Sequence, residues 1–251
     1  MATSPTLPVD VGSLNIEDYK VEGPSSIYYI PAFVSEAEES LILRRVNEAP
    51  LPRWTQLSNR RLQNWGGDPH PKGMIAEALP DWLKKYTDSI GSIKGIFENS
   101  PPNHVLVNEY RPGQGIMPHL DGPLFYPTIT TISVGSHAVL NFYRPLDCDD
   151  VSAESSQSSE TSQMSSWSSR LEFSLLVQPR SLLILRDKAY DYYLHGIEEI
   201  CKDELTDKVI NAGVLGLSPG DELQRATRVS LTIRHVPKTT KPMLKLFGIR
   251  R

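Results

Sequence analysis

The chain contains little cysteine and no long apolar run. Its two cysteines, Cys148 and Cys201, do not stand at metal-ligand spacing and are too few for a disulfide framework, which fits a reducing compartment. No apolar stretch reaches the roughly 20 residues that a membrane-spanning helix needs, and no basic segment followed by an apolar one opens the sequence. We therefore expect no membrane association and a location in the cytoplasm and nucleus.

Positive charge is also scarce. The 26 lysines and arginines are outnumbered by 30 acids, which gives a net charge of −4, whereas affinity for a phosphate backbone comes largely from clustered basic side chains. Basic residues do occur in two groups, beside two tryptophans and near the end of the chain: Arg53, Arg60 and Arg61 with Trp54 and Trp65, and Lys238, Lys241, Lys245, Arg250 and Arg251. Each group is either a solvated surface or, where arginine alternates with aromatic rings, a place on which unpaired bases stack. Both interpretations stay open.

Polarity patterns predict two helices followed by many short strands. A capping box at Ser35 and Glu38 predicts a helix to about Glu48, and amphipathic spacing predicts a second helix from Asp81 to Ile93. The predicted strands are Ser26–Ile30, His104–Tyr110, Thr128–Val134, His137–Tyr143, Leu171–Val177, Ser181–Arg186 and Arg228–Val236. Short strands separated by Gly, Pro and Asp turns are typical of a jelly roll. We predict a mainly β fold with flanking helices and a double-stranded β-helix (jelly roll) core.

The pattern divides the chain into three segments. Residues 1–12 are rich in proline and unpatterned, so we expect a flexible N-terminus. Residues 13–102 carry the helices and a turn-rich stretch, and residues 103–251 carry the predicted jelly-roll core. Ten of the eighteen residues at 152–169 are serine. Such a composition cannot bury a core, so we expect a disordered insertion there.

Three residues indicate a metal site. His119 and Asp121 form a His-x-Asp pair, and His195 follows in Tyr193-Leu-His-Gly-Ile. Two neutral imidazoles and one carboxylate on a single face would hold Fe(II) and leave octahedral positions free for a co-substrate and O₂. A short His/Asp pair also arises by chance, and a histidine among apolar residues is commonly a hydrogen-bonded core residue. The remaining histidines have no partner at ligand spacing, and we expect them to be structural: His70, His104, His137 and His235.

A later run alternates polar and apolar residues. In Arg228-Val-Ser-Leu-Thr-Ile-Arg234, the residues Arg228, Ser230, Thr232 and Arg234 share one face of a strand. Two cations on one strand face need an anion. They either pair with surface acids on a solvated edge, where an ion pair contributes about 0–1 kcal/mol, or they bind an anionic ligand.

The order of these motifs resembles a known enzyme family. Asn108-Glu-Tyr110 precedes the His119-x-Asp121 pair, and His195-Gly-Ile precedes the arginine-bearing strand. Together they look like the AlkB family of Fe(II)/2-oxoglutarate-dependent dioxygenases, over about residues 103–236, with a weaker match upstream. The resemblance implies Fe(II), 2-oxoglutarate as co-substrate, and O₂. It also implies that His119, Asp121 and His195 are the catalytic metal ligands.

The same resemblance implies how the co-substrate is bound. Arg228 would meet its far carboxylate with two charge-assisted hydrogen bonds, which a lysine could not reproduce. Asn108 and Tyr110 would add hydrogen bonds from the preceding strand. Arg234 would lie near the metal end of the co-substrate or orient the site.

The chain departs from the family pattern at two positions. Ser230 stands where the strand usually carries asparagine, and this shorter side chain would leave one co-substrate hydrogen bond to a water. Pro123 stands two residues beyond the metal aspartate, where DNA-repair members tend to carry an acid that reads the damaged base. The base preference of those members therefore does not transfer to this chain.

The resemblance implies oxidative N-demethylation of alkylated DNA or RNA, with release of formaldehyde. Residues 53–73 correspond to the region with which relatives cover the substrate. Because taking a base out of a duplex costs a few kcal/mol, single-stranded or damaged strands are the expected partners. Two alternatives stay open: a nucleic-acid- or protein-binding module with an iron site and little turnover, and a protein hydroxylase. Alanine at Arg60 and Arg61 is expected to weaken oligonucleotide binding only in a nucleic-acid enzyme.

Overall fold

Two antiparallel sheets face each other in the computed structural model, which describes residues 11–146 and 167–240. The two longer helices are α1 (Glu36–Asn47) and α2 (Asp81–Gly91). The strands are β1 (Ile27–Ile30), β2 (Thr55–Gln56), β3 (Arg61–Trp65), β4 (Met74–Ile75), β5 (His104–Tyr110), β6 (Ile116–His119), β7 (Thr128–Val134), β8 (Ala138–Tyr143), β9 (Leu171–Val177), β10 (Leu182–Arg186), β11 (Leu194–Ile197), β12 (Lys202–Glu204), β13 (Glu222–Gln224), β14 (Arg228–Arg234) and β15 (Thr239–Thr240).

The larger sheet has seven strands in the order β1-β10-β7-β14-β5-β3-β2, and the smaller has four in the order β6-β11-β8-β9. Neighbours in both sheets run antiparallel. The chain alternates between the two sheets from β5 to β8 and again from β9 through β10 and β11 to β14, whereas β8 and β9 are neighbours in the smaller sheet. This is the layout of a double-stranded β-helix. The predicted mainly β fold with a jelly-roll core is confirmed.

The alternation of β14 determines what each face of the larger sheet contacts. Val229, Leu231 and Ile233 belong to an apolar cluster that includes Ile42 of α1 and Leu83 of α2. The intervening polar residues face the smaller sheet, because successive side chains of a strand point to opposite faces. The helices therefore cover the outer face of the larger sheet, and its inner face is left for the site.

A second apolar cluster fills part of the space between the sheets. It joins Leu183 and Leu185 of β10 to Phe142 and Phe173 of the smaller sheet. The rings of Phe142 and Phe173 are stacked with centroids 4.6 Å apart. The sheets are thus held together by packing beside the site.

Strong periodicity placed most of the predicted elements correctly. Strands β5, β7 and β9 have the predicted bounds, and α1 begins after Ser35, whose side chain accepts from the Glu38 backbone in a complete capping box. The sequence patterns missed eight strands: β2, β3, β4, β6, β11, β12, β13 and β15. Each is short or interrupted, and β6 contains Pro118, which sequence rules confine to edge strands.

Three expectations concern the less regular parts of the chain. Residues 1–10 and 147–166, which include Cys148 and most of the predicted insertion, lie outside the described residues. Residues 167–169, at the end of the predicted insertion, belong to a short helix over 167–170. Val11–Ser13, which overlaps the end of the predicted flexible N-terminus, forms a short 3-10 helix. Cys201 is an exposed free thiol.

None of the helices in the described ranges is long and apolar enough to cross a membrane.

Candidate active site

One cavity between the two sheets collects every site residue that the sequence indicated. Its polar lining comprises Arg60, Asn108, Tyr110, His119, Asp121, Thr131, His195, Arg228, Ser230, Thr232 and Arg234. Aliphatic side chains of both sheets, such as Ile129, Leu140 and Leu183, line the rest. The arginine-bearing face is therefore directed into the protein and is not a solvated edge.

Strand pairing brings the two predicted metal-binding histidines together. His119 of β6 and His195 of β11 are directly opposed in the ladder, with ring centroids 4.7 Å apart. The strands approach closely at Gly115, where a Cβ atom would lie 2.2 Å from the carbonyl oxygen of Ile197. Only glycine allows this approach.

Asp121 follows β6 and completes the group. Its Oδ2 lies 3.6 Å from Nε2 of His195, and its Oδ1 accepts a hydrogen bond from Arg234. Burial alone would raise the pKa of Asp121, but Arg234 and the two histidines outweigh burial, so the pKa lies below its usual value. The carboxylate is therefore ionised at neutral pH.

His119, Asp121 and His195 have the donor types of an iron site and line the same cavity. Within residues 11–146 and 167–240, no three His, Cys, Asp or Glu side chains are arranged so that they could already hold one metal ion. His119 Nδ1 lies 2.8 Å from the carbonyl oxygen of Met117, which favours the tautomer with the proton on Nδ1 and leaves Nε2 free to bind a metal. Burial lowers the pKa of His195 to about 4, against the opposing effect of Asp121. His195 is therefore neutral at pH 7, as a ligand must be.

The loop after Asp121 encloses the Asp121–Arg234 pair. The ring of Phe125 lies 4.4 Å from the guanidinium carbon of Arg234. Tyr190, on a one-turn helix before β11, donates through its hydroxyl to the carbonyl oxygens of Gly122 and Phe125 at 2.8 and 3.1 Å. These contacts hold the loop against the site, and no periodic pattern in the sequence indicated them.

Arg228 lies at the opposite end of β14 from Arg234. Not all of its hydrogen-bond donors have a partner among the described residues. It is 6% exposed, one terminal amine donates to Ser133 Oγ at 2.8 Å, and its Nε has no hydrogen-bond partner among the described residues. Burial lowers the pKa of Arg228 to about 10, so the group stays charged at pH 7. A buried cation with an unused donor favours an anionic ligand.

Arg60 lines the cavity. The sequence alone did not distinguish its role from that of Arg61. Its Nε donates to Asn108 Oδ1 at 3.2 Å, and none of the described side chains accepts from its terminal amines. The preceding Asn59 donates to Glu199 beyond β11, so the β2–β3 turn crosses from the larger sheet to the loop of the smaller one. The turn thereby places Arg60 on the cavity.

Arg61 faces the opposite side of the sheet. It forms a two-point ion pair with Glu109, through N–O distances of 2.8 and 2.6 Å, and its guanidinium lies 3.9 Å from the Trp54 ring centroid. Arg53 covers the Trp65 ring in the same way, at 4.6 Å. Each tryptophan thus has a guanidinium on one face. Lys241, Lys245, Arg250 and Arg251 of the C-terminal basic group lie outside the described residues.

The remaining histidines do not line the cavity. His104 is 1% exposed beneath Phe125, and burial lowers its pKa to about 3. His137 lies 3.1 Å from Asp203. His70 accepts from the Lys72 backbone, and His235 contacts the Pro101 carbonyl.

Comparison with known proteins agrees with this geometry. The profile of the 2OG-Fe(II) oxygenase superfamily matches residues 45–234. A protein from Danio rerio, "Probable RNA/DNA demethylase ALKBH6", is 55% identical over 234 residues, covering 93% of this chain and 95% of that protein. "Uncharacterized protein L905" of Acanthamoeba polyphaga mimivirus is 26% identical over 212 residues, with 82% of each chain covered.

The fold is also found among solved structures. The structure of OsALKBH1 superposes with a TM-score of 0.53 at 16% identity, covering 85% of this chain and 99% of that one. At this identity the likeness concerns the fold alone. Fe(II), 2-oxoglutarate and O₂ are the cofactors and co-substrates of the matched superfamily, as the motifs predicted. The chain belongs to the 2OG-Fe(II) oxygenase superfamily and, within it, to the AlkB family of dioxygenases.

Proposed function

We propose that this dioxygenase removes N-linked methyl groups from alkylated bases in DNA or RNA, and that the cavity between the sheets is its active site. The observation that carries the proposal is the convergence of the opposed histidines, Asp121 and the arginine face on this cavity. The 55% identical relative, whose name includes RNA/DNA demethylase, supports the choice of nucleic acid.

His119, Asp121 and His195 are the proposed ligands of Fe(II), which, with 2-oxoglutarate, would supply oxidation of the substrate methyl group by O₂. Arg234 keeps Asp121 ionised and oriented by occupying one of its oxygens. The other Asp121 oxygen faces His195. This supporting contact is the kind that fixes a metal ligand in one orientation.

The proposed co-substrate site extends from these ligands to Arg228. A planar guanidinium binds a carboxylate through two donors, and the buried Arg228 retains an unused Nε. Asn108 and Tyr110 of β5 pair with Ser230 and Arg228 across the ladder, so all four adjoin the same stretch of cavity. The aliphatic walls of the cavity exclude water. This exclusion would limit side reactions during the oxidation.

Product formation tests the proposal. The Fe(II)-loaded protein is incubated with 2-oxoglutarate, O₂ and matched methylated or unmethylated oligonucleotides, and succinate and formaldehyde are measured. Formaldehyde that requires a methylated strand and is lost in Asp121→Asn would support a nucleic-acid demethylase. Asp121-dependent succinate that no oligonucleotide stimulates would point to a protein or small-molecule substrate. Absence of succinate with retained oligonucleotide affinity would indicate a binding module.

A further inference from the structure

On the cavity wall, positively charged side chains outnumber negatively charged ones. Among the residues that the structure describes, Arg60, Arg228 and Arg234 contribute three guanidiniums, and Asp121 contributes the single carboxylate. Because the charges of Fe(II) and doubly ionised 2-oxoglutarate cancel, the three guanidiniums and the one carboxylate would leave the occupied site with an excess of positive charge.

Neighbouring acids do not offset this excess on the cavity wall. Glu109 pairs with Arg61 on the outer face of the sheet, Glu198 accepts from Asn141, and Glu199 accepts from Asn59. Asp191 lines a separate surface hollow with Leu120 and Tyr192. None of these four acids lines the cavity.

Methylated bases fall into two electrostatic classes. Methylation of cytosine at N3 or adenine at N1 produces a cation at neutral pH, whereas methylation of uracil or thymine at N3, or guanine at N1, leaves a neutral base. Two positive groups repel strongly when a low-dielectric wall surrounds them, and an interface rejects a partner of like charge. The excess of arginine therefore opposes the cationic class.

Hydrogen bonding to the base also favours the neutral class over the cationic class. The Arg60 terminal amines are donors that no described side chain occupies. In 3-methyluracil, carbonyl oxygens flank the methylated nitrogen on both sides, whereas 3-methylcytosine has an amino group at one of these positions. A donor that faces a carbonyl is satisfied, whereas a donor that faces an amino group is not.

We propose that this active site prefers neutral N-methylated bases to cationic ones, with Arg60 as a residue that determines the preference. The inference rests on the proposed function and specifies its substrate class. 3-Methyluracil and 3-methylcytosine form a matched pair, because both carry the methyl group on N3 of a pyrimidine and differ in charge.

The test compares two RNA oligonucleotides that are identical except for one 3-methyluridine or 3-methylcytidine. Initial formaldehyde release by the Fe(II)- and 2-oxoglutarate-loaded protein is measured at subsaturating strand. Binding is measured independently by fluorescence anisotropy with the protein without iron, where no turnover occurs. We expect formaldehyde release from the 3-methyluridine strand to be about tenfold faster than from the 3-methylcytidine strand. We also expect the 3-methyluridine strand to bind more tightly. Equal rates, or faster reaction of the cationic base, would overturn the inference.

Charge-altering variants test the cause. Pro123 is exposed two residues after Asp121, so Pro123→Asp adds an acid at the loop while Pro123→Asn removes the proline without adding charge. We expect Pro123→Asp, and not Pro123→Asn, to shift the rate ratio toward 3-methylcytidine. Arg60→Gln should reduce the ratio, whereas Arg44→Gln, on an exposed helix face, should leave it unchanged. If none of these substitutions changes the ratio of the two demethylation rates, the electrostatic explanation is overturned.

The two proposals fail in different ways. Faster Asp121-dependent reaction of 3-methylcytidine would overturn the base preference and leave the demethylase proposal standing. If neither base, nor the matched pair of 1-methylguanine and 1-methyladenine, is demethylated while 2-oxoglutarate still raises the melting temperature, both proposals are overturned.

Discussion

The guanidinium of Arg234 and the carboxylate of Asp121 form an ion pair inside the cavity, although 113 residues separate them in the chain. Their side chains are 10% and 4% exposed. The β5–β14–β7 ladders bring the end of β14 to the loop that follows β6. The pair therefore couples the arginine strand to the proposed metal ligand.

Replacing Arg234 should weaken metal binding. Arg234→Leu would leave Asp121 buried and free to turn, and loss of such a supporting contact typically costs 10- to 100-fold in metal affinity. Equilibrium dialysis with Co(II) as an air-stable probe measures the change. Arg234→Lys should recover part of the affinity. Arg111→Leu, which removes an exposed arginine that does not line the cavity, should behave as wild type. Unchanged affinity in Arg234→Leu would refute the supporting role.

Removal of two histidines should separate ligand from structural roles. His195→Ala should abolish iron-dependent succinate formation and weaken Co(II) binding, because it removes a proposed ligand. His137→Ala should lower the free energy of unfolding by about 1 kcal/mol, through loss of its contact with Asp203, and leave metal binding intact. The two-point ion pair of Asp203 with Arg225 remains in that variant. The reverse pattern would move the ligand assignment to His137.

Alanine at Arg60 and at Arg61 should have different effects. Arg61→Ala leaves Glu109, whose side chain is 6% exposed, without its main partner, and should destabilise the fold by about 1–3 kcal/mol. Arg60→Ala should weaken binding of methylated oligonucleotides while changing the urea midpoint little, since Arg60 makes one hydrogen bond to a described side chain. Binding and urea denaturation are measured on both proteins. Equal loss of binding in both, at equal stability, would contradict the opposed orientation of these residues.

His104 should make the protein less stable as the pH falls. Its pKa is about 3 in the folded chain because burial disfavours the charged ring, against an ordinary value of 6.5. Between these values the unfolded chain binds a proton that the folded chain does not, so stability declines on acidification, by about 3 kcal/mol between pH 7 and pH 4. Urea midpoints across this range should fall less steeply in His104→Leu. The exposed His70→Gln should follow the wild-type slope, and a wild-type slope in His104→Leu would exclude the effect.

Tyr190 should act as a positioning residue through the loop that follows Asp121. Tyr190→Phe removes the hydroxyl that holds Gly122 and Phe125, so kcat on a methylated strand should fall several-fold, with the KM for 2-oxoglutarate unchanged. Tyr192→Phe, two residues away and 40% exposed, is the matched control. A parallel rise in the KM for 2-oxoglutarate, or an equal effect in both variants, would indicate a general structural role instead.

Local patterns predicted the regular parts of the fold because burial repeats with the period of the element. The alternation of β14 and the capping box at Ser35 are complete signals within a few residues. By contrast, β6 and β11 have four residues each, too few for a period to emerge. These two strands nevertheless carry His119 and His195.

The sequence by itself determined the residue types of the site, their order along the chain and the shared face of the arginine strand. Only the tertiary structure decided that this face is buried, that His119 opposes His195 and that Arg60 reaches the cavity while Arg61 does not. The reason is physical. Periodicity records which side chains share a face, whereas the partner of that face depends on pairings between strands that are distant in the chain.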